Sequence, residues 1–285
     1  MAYMEYHYSA FLLKSSKRVS ILTGAMGAAE MLEGNESAFI ENFRLPRKTL
    51  GALLFGLINR GVFVELESLS TGAVVPVPIL LRQSVSSTNM QQRFQHSGET
   101  MSRQLRLVMH ALRRLVPLYI CQPPEDAPTP SVITANSKFY PFFEKCRMAL
   151  DGTHIPVWVS ATEAAPFHGR KGVTMNILAA CDFDLVFTFV LASWEGTAGD
   201  GKQELFNLRH AQLRNCIERI FGILKMRLPI LSKGIRYDFA FKVDVVLALC
   251  VIHNTQRCPA SKHLVAHLGE GQMTKSPKVR GQAFH

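Results

Sequence analysis

Apolar residues recur at helical spacing through the first 117 residues, and after residue 147 they gather into short continuous runs. Helices are predicted around Ala28–Leu32, Glu36–Phe43 and Pro46–Asn59, with Asn35 suited to cap the second, Pro46 to open the third and Gly61 to stop it. Residues 63–85 carry Gly72, Pro76 and Pro78, which break a helix there. Ser86-Ser87-Thr88 can cap a short helix through Phe94, and His96-Ser97-Gly98 makes a turn. A long amphipathic helix then runs to about Val116, with Met101, Leu105, Val108, Met109, Leu112 and Leu115 on one face. Two helices joined by a tight turn form a helix-turn-helix pattern, and an ordinary helical hairpin has the same one. Four prolines between Pro123 and Pro130 mark a linker over 118–146 that ends in a short amphipathic helix, Lys138–Lys145, with a domain boundary near 125–135.

The second half reads differently. One apolar run ends at Asp151, and a second spans Ile155–Val159 after Gly152-Thr153-His154. Beyond the basic loop His168–Gly172 come Val173–Cys181 and Leu185–Ala192, rich in Val, Ile, Phe and Thr, which predicts a small meander of strands. On local pattern alone Asp151-Gly152 is a hairpin turn; the competing reading is a carboxylate placed at a strand end. Residues 202–228 are predicted helical, with apolar positions from Leu205 to Leu224 and basic residues between them. Glu218 lies four residues after Arg214 on that helix, the spacing of an ordinary intrahelical ion pair. Residues 239–256 give an apolar helix whose His253 and Asn254 read as satisfied core or helix-end residues, and 259–285 are polar, basic and expected to be disordered.

With 285 residues, 47% of them hydrophobic and 19% charged, the chain has the composition of a globular protein with a substantial core. Lys, Arg, Pro or Gly interrupts every apolar run short of a membrane span, and the first twenty residues lack a signal-peptide pattern. Six cysteines with no Cys-x-x-Cys pair read as free thiols of a reducing compartment, cytosolic or nuclear. The net charge of +10 falls almost wholly on residues 201–285, which carry 14 Lys and Arg against 5 Asp and Glu. Such a basic third suits a polyanion such as DNA, since binding it releases counterions.

Three stretches, DGTHIP, GRKG and NILAACDFDLVFTFVLASWEG, stand in that order between Asp151 and Gly196, and an Asn-x-Ile-Glu-Arg motif follows at Asn215–Arg219. Together they closely resemble the nuclease domain of PIF/Harbinger transposases and their domesticated relatives. SILTGAMGAAEMLEGNESAFIENF and QQRFQHSGETMSRQL resemble the helical region upstream of that domain, and VLALCVIHN resembles its C-terminal helix. The resemblance implies an α/β chain: a truncated RNase H-like (DDE) nuclease domain at 147–258, preceded by an all-helical N-terminal region (1–62) and a helix-turn-helix-like element (63–125). It implies that Asp151 and Glu218 are the first and last carboxylates of a centre holding Mg²⁺ or Mn²⁺ for phosphodiester hydrolysis or strand transfer on DNA. DNA contacts are expected from Ser102, Arg103, Arg106, Arg170, Lys171, Arg214 and Arg219. The family's habits add a nuclear location and a separate Myb/SANT-like DNA-binding partner.

One part of the pattern is missing. Relatives carry a strand with a second aspartate before an Ala-Gly-Tyr turn, and this chain has only TAGDGKQ between Gly196 and Glu204. Asp182, Asp184 and Asp200 do not match that position. The expectation is an incomplete Asp-Asp-Glu triad, with impaired catalysis and an uncovered sheet edge, and a misread intron would produce the same deletion. The alternative is a catalytically inactive derivative that binds DNA or a protein partner.

Overall fold

In the computed structural model, residues 2–8, 21, 23–59, 87–169, 172–195, 206–235 and 237–257 are described. Gly61, the segment 63–85, Arg170, Lys171, Asp200 and the tail from 258 lie outside them. The helices in chain order are α1 (Ala2–His7), α2 (Gly24–Glu33), α3 (Glu36–Phe43), α4 (Arg47–Asn59), α5 (Ser87–Phe94), α6 (Gly98–Arg113), α7 (Val116–Tyr119) and α8 (Ser131–Thr134). Strands β1 (Ala149–Pro156), β2 (His168–Gly169), β3 (Gly172–Cys181) and β4 (Phe187–Glu195) follow, and then α9 (Phe206–Arg227), α10 (Ile230–Lys233) and α11 (Phe239–Arg257). The architecture is mixed α/β with an antiparallel sheet, and the predicted cap of α3 is present. The Asn35 side chain accepts from Ser37 N at 2.7 Å, and Ser97 Oγ likewise caps α6, accepting from Thr100 N at 3.0 Å. The residue that turns the chain between α5 and α6 is Gln95, in the left-handed region at φ 54°.

Two expectations are corrected. Asp151-Gly152 is not a turn: β1 runs unbroken through it, paired to β3 from Ala149↔Cys181 to Pro156↔Thr174, with Asp151 opposite Ala179. A ladder of that length leaves no room for the hairpin that the dipeptide would make in isolation. Lys138–Lys145 is a run of turns, not a helix. Pro141 lacks the N–H a helix needs there, and Phe139 instead packs with Ile133, Phe143, Cys146 and Phe183 in a small cluster of its own.

β3 is the hub of the sheet, pairing with β1, with β4 and, at its start, with β2. The β3–β4 turn is held by Asp182, whose Oδ1 accepts from Asp184 N at 3.0 Å and Val186 N at 2.9 Å. Beyond β1 on its other edge, the described residues supply one parallel bridge, Val157↔Ile235. Lys225 of α9 covers the edge further back, donating to His154 O at 2.9 Å and Thr153 Oγ1 at 2.7 Å. A side-chain ammonium there takes a backbone acceptor on the strand edge.

The buried apolar residues of α2–α7, of the sheet and of α9–α11 form one contiguous cluster, so the two sides of the proline-rich linker share a core. α11 is its centre, with thirteen buried residues. This helix is long and apolar enough by length and composition to cross a membrane, although Lys242 and Asp244 interrupt its apolar run. Its burial among α6, α9 and β4 makes it a core helix instead. The five described cysteines are free thiols.

Candidate functional site

The residues that carry the candidate chemistry meet where α9 packs over β1. Along β1, burial alternates, and Ala149, Asp151, Thr153, Ile155 and Val157 share the face or edge turned to the helices. Asp151 is therefore drawn inward by its strand, and its side chain is only 15% exposed. On α9, Ile217, Ile220, Phe221 and Leu224 are buried against the core. Arg214, Glu218 and Lys225 fall together on a neighbouring stripe, at steps of four and seven residues. That stripe lies along β1.

The geometry where they meet is specific. Nη2 of Arg214 lies 3.0 Å from Asp151 Oδ1 and 3.1 Å from Oδ2, and the same nitrogen lies 3.7 Å from Glu218 Oε1. One guanidinium thus joins the two carboxylates that sequence reasoning singled out, and those two acids do share one place. The intrahelical pairing of Arg214 with Glu218, weighed against a metal role, is also present. Nothing in the sequence pattern pointed to Arg214 as the link between them, because its partner Asp151 lies 63 residues away.

The donor set decides whether these residues suit a divalent metal pair. Mg²⁺ and Mn²⁺ need oxygen ligands converging from several sides. Here Asp151 Oδ2 accepts from Arg214 and Oδ1 lies within ion-pair distance of the same nitrogen, and no group of three or more His, Cys, Asp or Glu that could hold a metal occurs among the described residues. As arranged, the centre does not fit a metal pair.

The expected DNA contacts divide. Arg103 and Arg219 are exposed, and Ser102 is half-buried on α6. Arg106 pairs with Asp238 at 2.7 Å and stacks over the Phe241 ring at 4.8 Å, so it ties α6 to the start of α11. Arg113 likewise pairs with Asp244 of α11. The inner face of α6 is buried against the core, which leaves its outer face, with Arg103, Arg114 and His110, open to solvent. A cavity of about 720 Å³ opens elsewhere, between Trp158, Phe167, Tyr237 and Phe239, and its lining includes none of Asp151, Arg214 and Glu218.

His253 and Asn254 are core residues. Asn254 is fully buried and makes three hydrogen bonds: it accepts from Phe187 N at 2.8 Å and donates to Phe187 O and Tyr119 O, each at 2.7 Å.

Comparison with known proteins gives two partial matches. Residues 19–114 match a family described as a domain of unknown function (DUF8040). Residues 198–254 match the family described as DDE superfamily endonuclease, over a span that holds Glu218 but not Asp151. No curated protein and no solved structure matches the chain.

Proposed function

We propose that this chain descends from DNA nucleases of the Harbinger transposase lineage, with a reduced RNase H-like domain, and that its nuclease centre is impaired. The match of residues 198–254 to DDE endonucleases supports the superfamily. The observation that carries the rest is the meeting of Asp151 and Glu218 on one guanidinium: the outer two acids of an Asp-Asp-Glu centre are side by side, and their electrostatic partner is an arginine. Phosphodiester cleavage in such centres relies on metal ions held by converging carboxylates. With the Asp151 carboxylate paired to Arg214 through Oδ2 and in ion-pair contact through Oδ1, that chemistry has no holder here.

The test is nicking of supercoiled plasmid in Mg²⁺ or Mn²⁺. The wild-type chain is expected to nick no faster than Asp151→Ala. Nicking that the wild type shows and Asp151→Ala loses would overturn the impairment and restore an active nuclease.

What remains to the protein under this reading is binding to DNA in the nucleus, alone or with a Myb-like partner. The exposed Arg103 and Arg219 favour it, since both stand clear of the ion pairs that hold Arg106, Arg113 and Arg214. Replacing both by Ala is expected to weaken duplex binding about equally for any sequence. It should also lower the log–log salt slope by about 2, roughly one for each phosphate that is no longer neutralised. A filter-binding titration across salt concentrations reads this directly. An unchanged slope would remove these two residues from the interface.

A further inference from the structure

We propose that Arg214 is the standing cation of this centre: its guanidinium takes the position between Asp151 and Glu218 that a divalent ion would need, so the pair is closed to Mg²⁺ and Mn²⁺. The inference rests on reading Asp151 and Glu218 as the surviving carboxylates of a nuclease centre. It goes further in naming what shuts that centre and what would reopen it.

Distances come first. A Mg²⁺ ion bound to Asp151 would sit about 2.0–2.1 Å from a carboxylate oxygen. Arg214 Nη2 approaches both oxygens of that carboxylate, at 3.0 and 3.1 Å, and Glu218 Oε1 at 3.7 Å. A metal and this nitrogen would compete for the same lone pairs, and two cations would then touch. Only one of them can be there.

Burial makes the choice matter. The Asp151 side chain is 15% exposed, which limits how far water can solvate its charge, whereas Glu218 is 55% exposed. A largely buried carboxylate needs a partner, and Arg214 supplies one from the same chain, independent of ion concentration. Loss of a proton from the guanidinium cannot release it, because an arginine stays protonated in proteins. The exchange therefore requires Arg214 to swing away. The helix sets this up, since Arg214 stands one turn before Glu218 on the stripe facing β1, while Arg219 points to solvent.

Charge gives the consequence. With Arg214 in place the trio carries one net negative charge; without it, two carboxylates face each other and attract a divalent cation. Removing the arginine should thus turn a metal-indifferent strand–helix junction into a metal-dependent one. Lys at the same place keeps a cation and should keep the indifference.

The experiment is thermal melting of the full chain in EDTA and in millimolar Mn²⁺. Wild type and Arg214→Lys are each expected to melt at the same temperature with and without the metal. Arg214→Gln is expected to melt lower than wild type in EDTA and to gain roughly 3 °C or more in Mn²⁺. Adding Asp151→Asn to Arg214→Gln should abolish that gain. An Arg214→Gln chain indifferent to Mn²⁺ would overturn the proposal. As a second reading that needs no altered arginine, Mn²⁺ titration followed by electron paramagnetic resonance should leave the same free ion with wild type as with Asp151→Asn. An additional ion taken up by wild type would also overturn it. These outcomes are separate from plasmid nicking: a wild-type chain that fails to nick, together with an Arg214→Gln chain that ignores Mn²⁺, sinks this inference alone.

Discussion

Asn254→Ala is expected to lower the unfolding free energy by about 4 kcal/mol, because it leaves three buried backbone groups without partners. The Asn254 amide faces Phe187 as a neighbouring strand would, accepting from its N–H and donating to its C=O. Its second amide hydrogen goes to Tyr119 O at the end of α7. One side chain on α11 therefore completes the outer edge of β4 and pins the N-terminal helical region to the sheet. Asn254→Asp should be at least as damaging, since it keeps the acceptor for Phe187 N but aims a second oxygen at two carbonyls. Denaturant melts of the three chains measure this. A loss below about 1 kcal/mol for Asn254→Ala would mean that water or a rearranged backbone replaces the amide.

The second large effect is a dependence of stability on pH that runs through His253. Its Nε2–H donates to Leu185 O at 3.0 Å, which leaves Nδ1 as the unprotonated nitrogen. That atom is buried with no hydrogen-bond partner among the described residues. Burial pushes the imidazole down from 6.5 to about 4, with Arg227 and Arg257 adding to the fall and the bond to Leu185 opposing it. A proton on Nδ1 would have no acceptor among the described residues, and the Phe187 ring packs edge-on against the imidazole with centroids 5.5 Å apart.

The sign follows from where protons bind. Between pH 6.5 and 4 the unfolded chain takes up a proton that the folded chain refuses, so the unfolded state gains as pH falls. The contribution of neutral His253 is complete above pH 6.5 and declines down to about pH 4, by roughly 3 kcal/mol in all. His253→Leu removes the titration, so the stability difference between about pH 7.5 and about pH 4.5 should shrink by roughly 2 kcal/mol relative to wild type. Equal slopes for the two chains would show that His253 is not the group responsible.

Both effects come from buried polar residues of α11, which the sequence placed as satisfied core or helix-end residues without naming their partners. Periodicity was enough to place α3, α4, α6, α9 and α11 and the strands β3 and β4, because each buries a stripe or a face at its own period. Cap chemistry placed Asn35 at the start of α3 for an equally local reason. Motif order brought Asp151 and Glu218 forward as candidate partners although they stand far apart along the chain. These readings depend on residues within a few positions of each other, or on a resemblance carried by several motifs at once.

Tertiary structure decided the rest. Asp151-Gly152 carries every local sign of a turn, and it is strand because β3 offers a full ladder on one side and Lys225 takes the next carbonyl acceptor on the other. Lys138–Lys145 has helical apolar spacing, and Phe139 goes to a small separate cluster with Phe143 and Cys146. Arg106 and Arg113 look like free basic groups along the chain, and Asp238 just before α11 and Asp244 within it claim them. Arg214 is the sharpest case. Sequence spacing pairs it with Glu218, and only the packing of α9 on β1 brings Asp151 to the same nitrogen. A side chain's period is written in its neighbours along the chain, whereas its hydrogen-bond partner is set by which elements the core brings together. For Arg214 and Asn254 those partners come from strands 63 and 67 residues away.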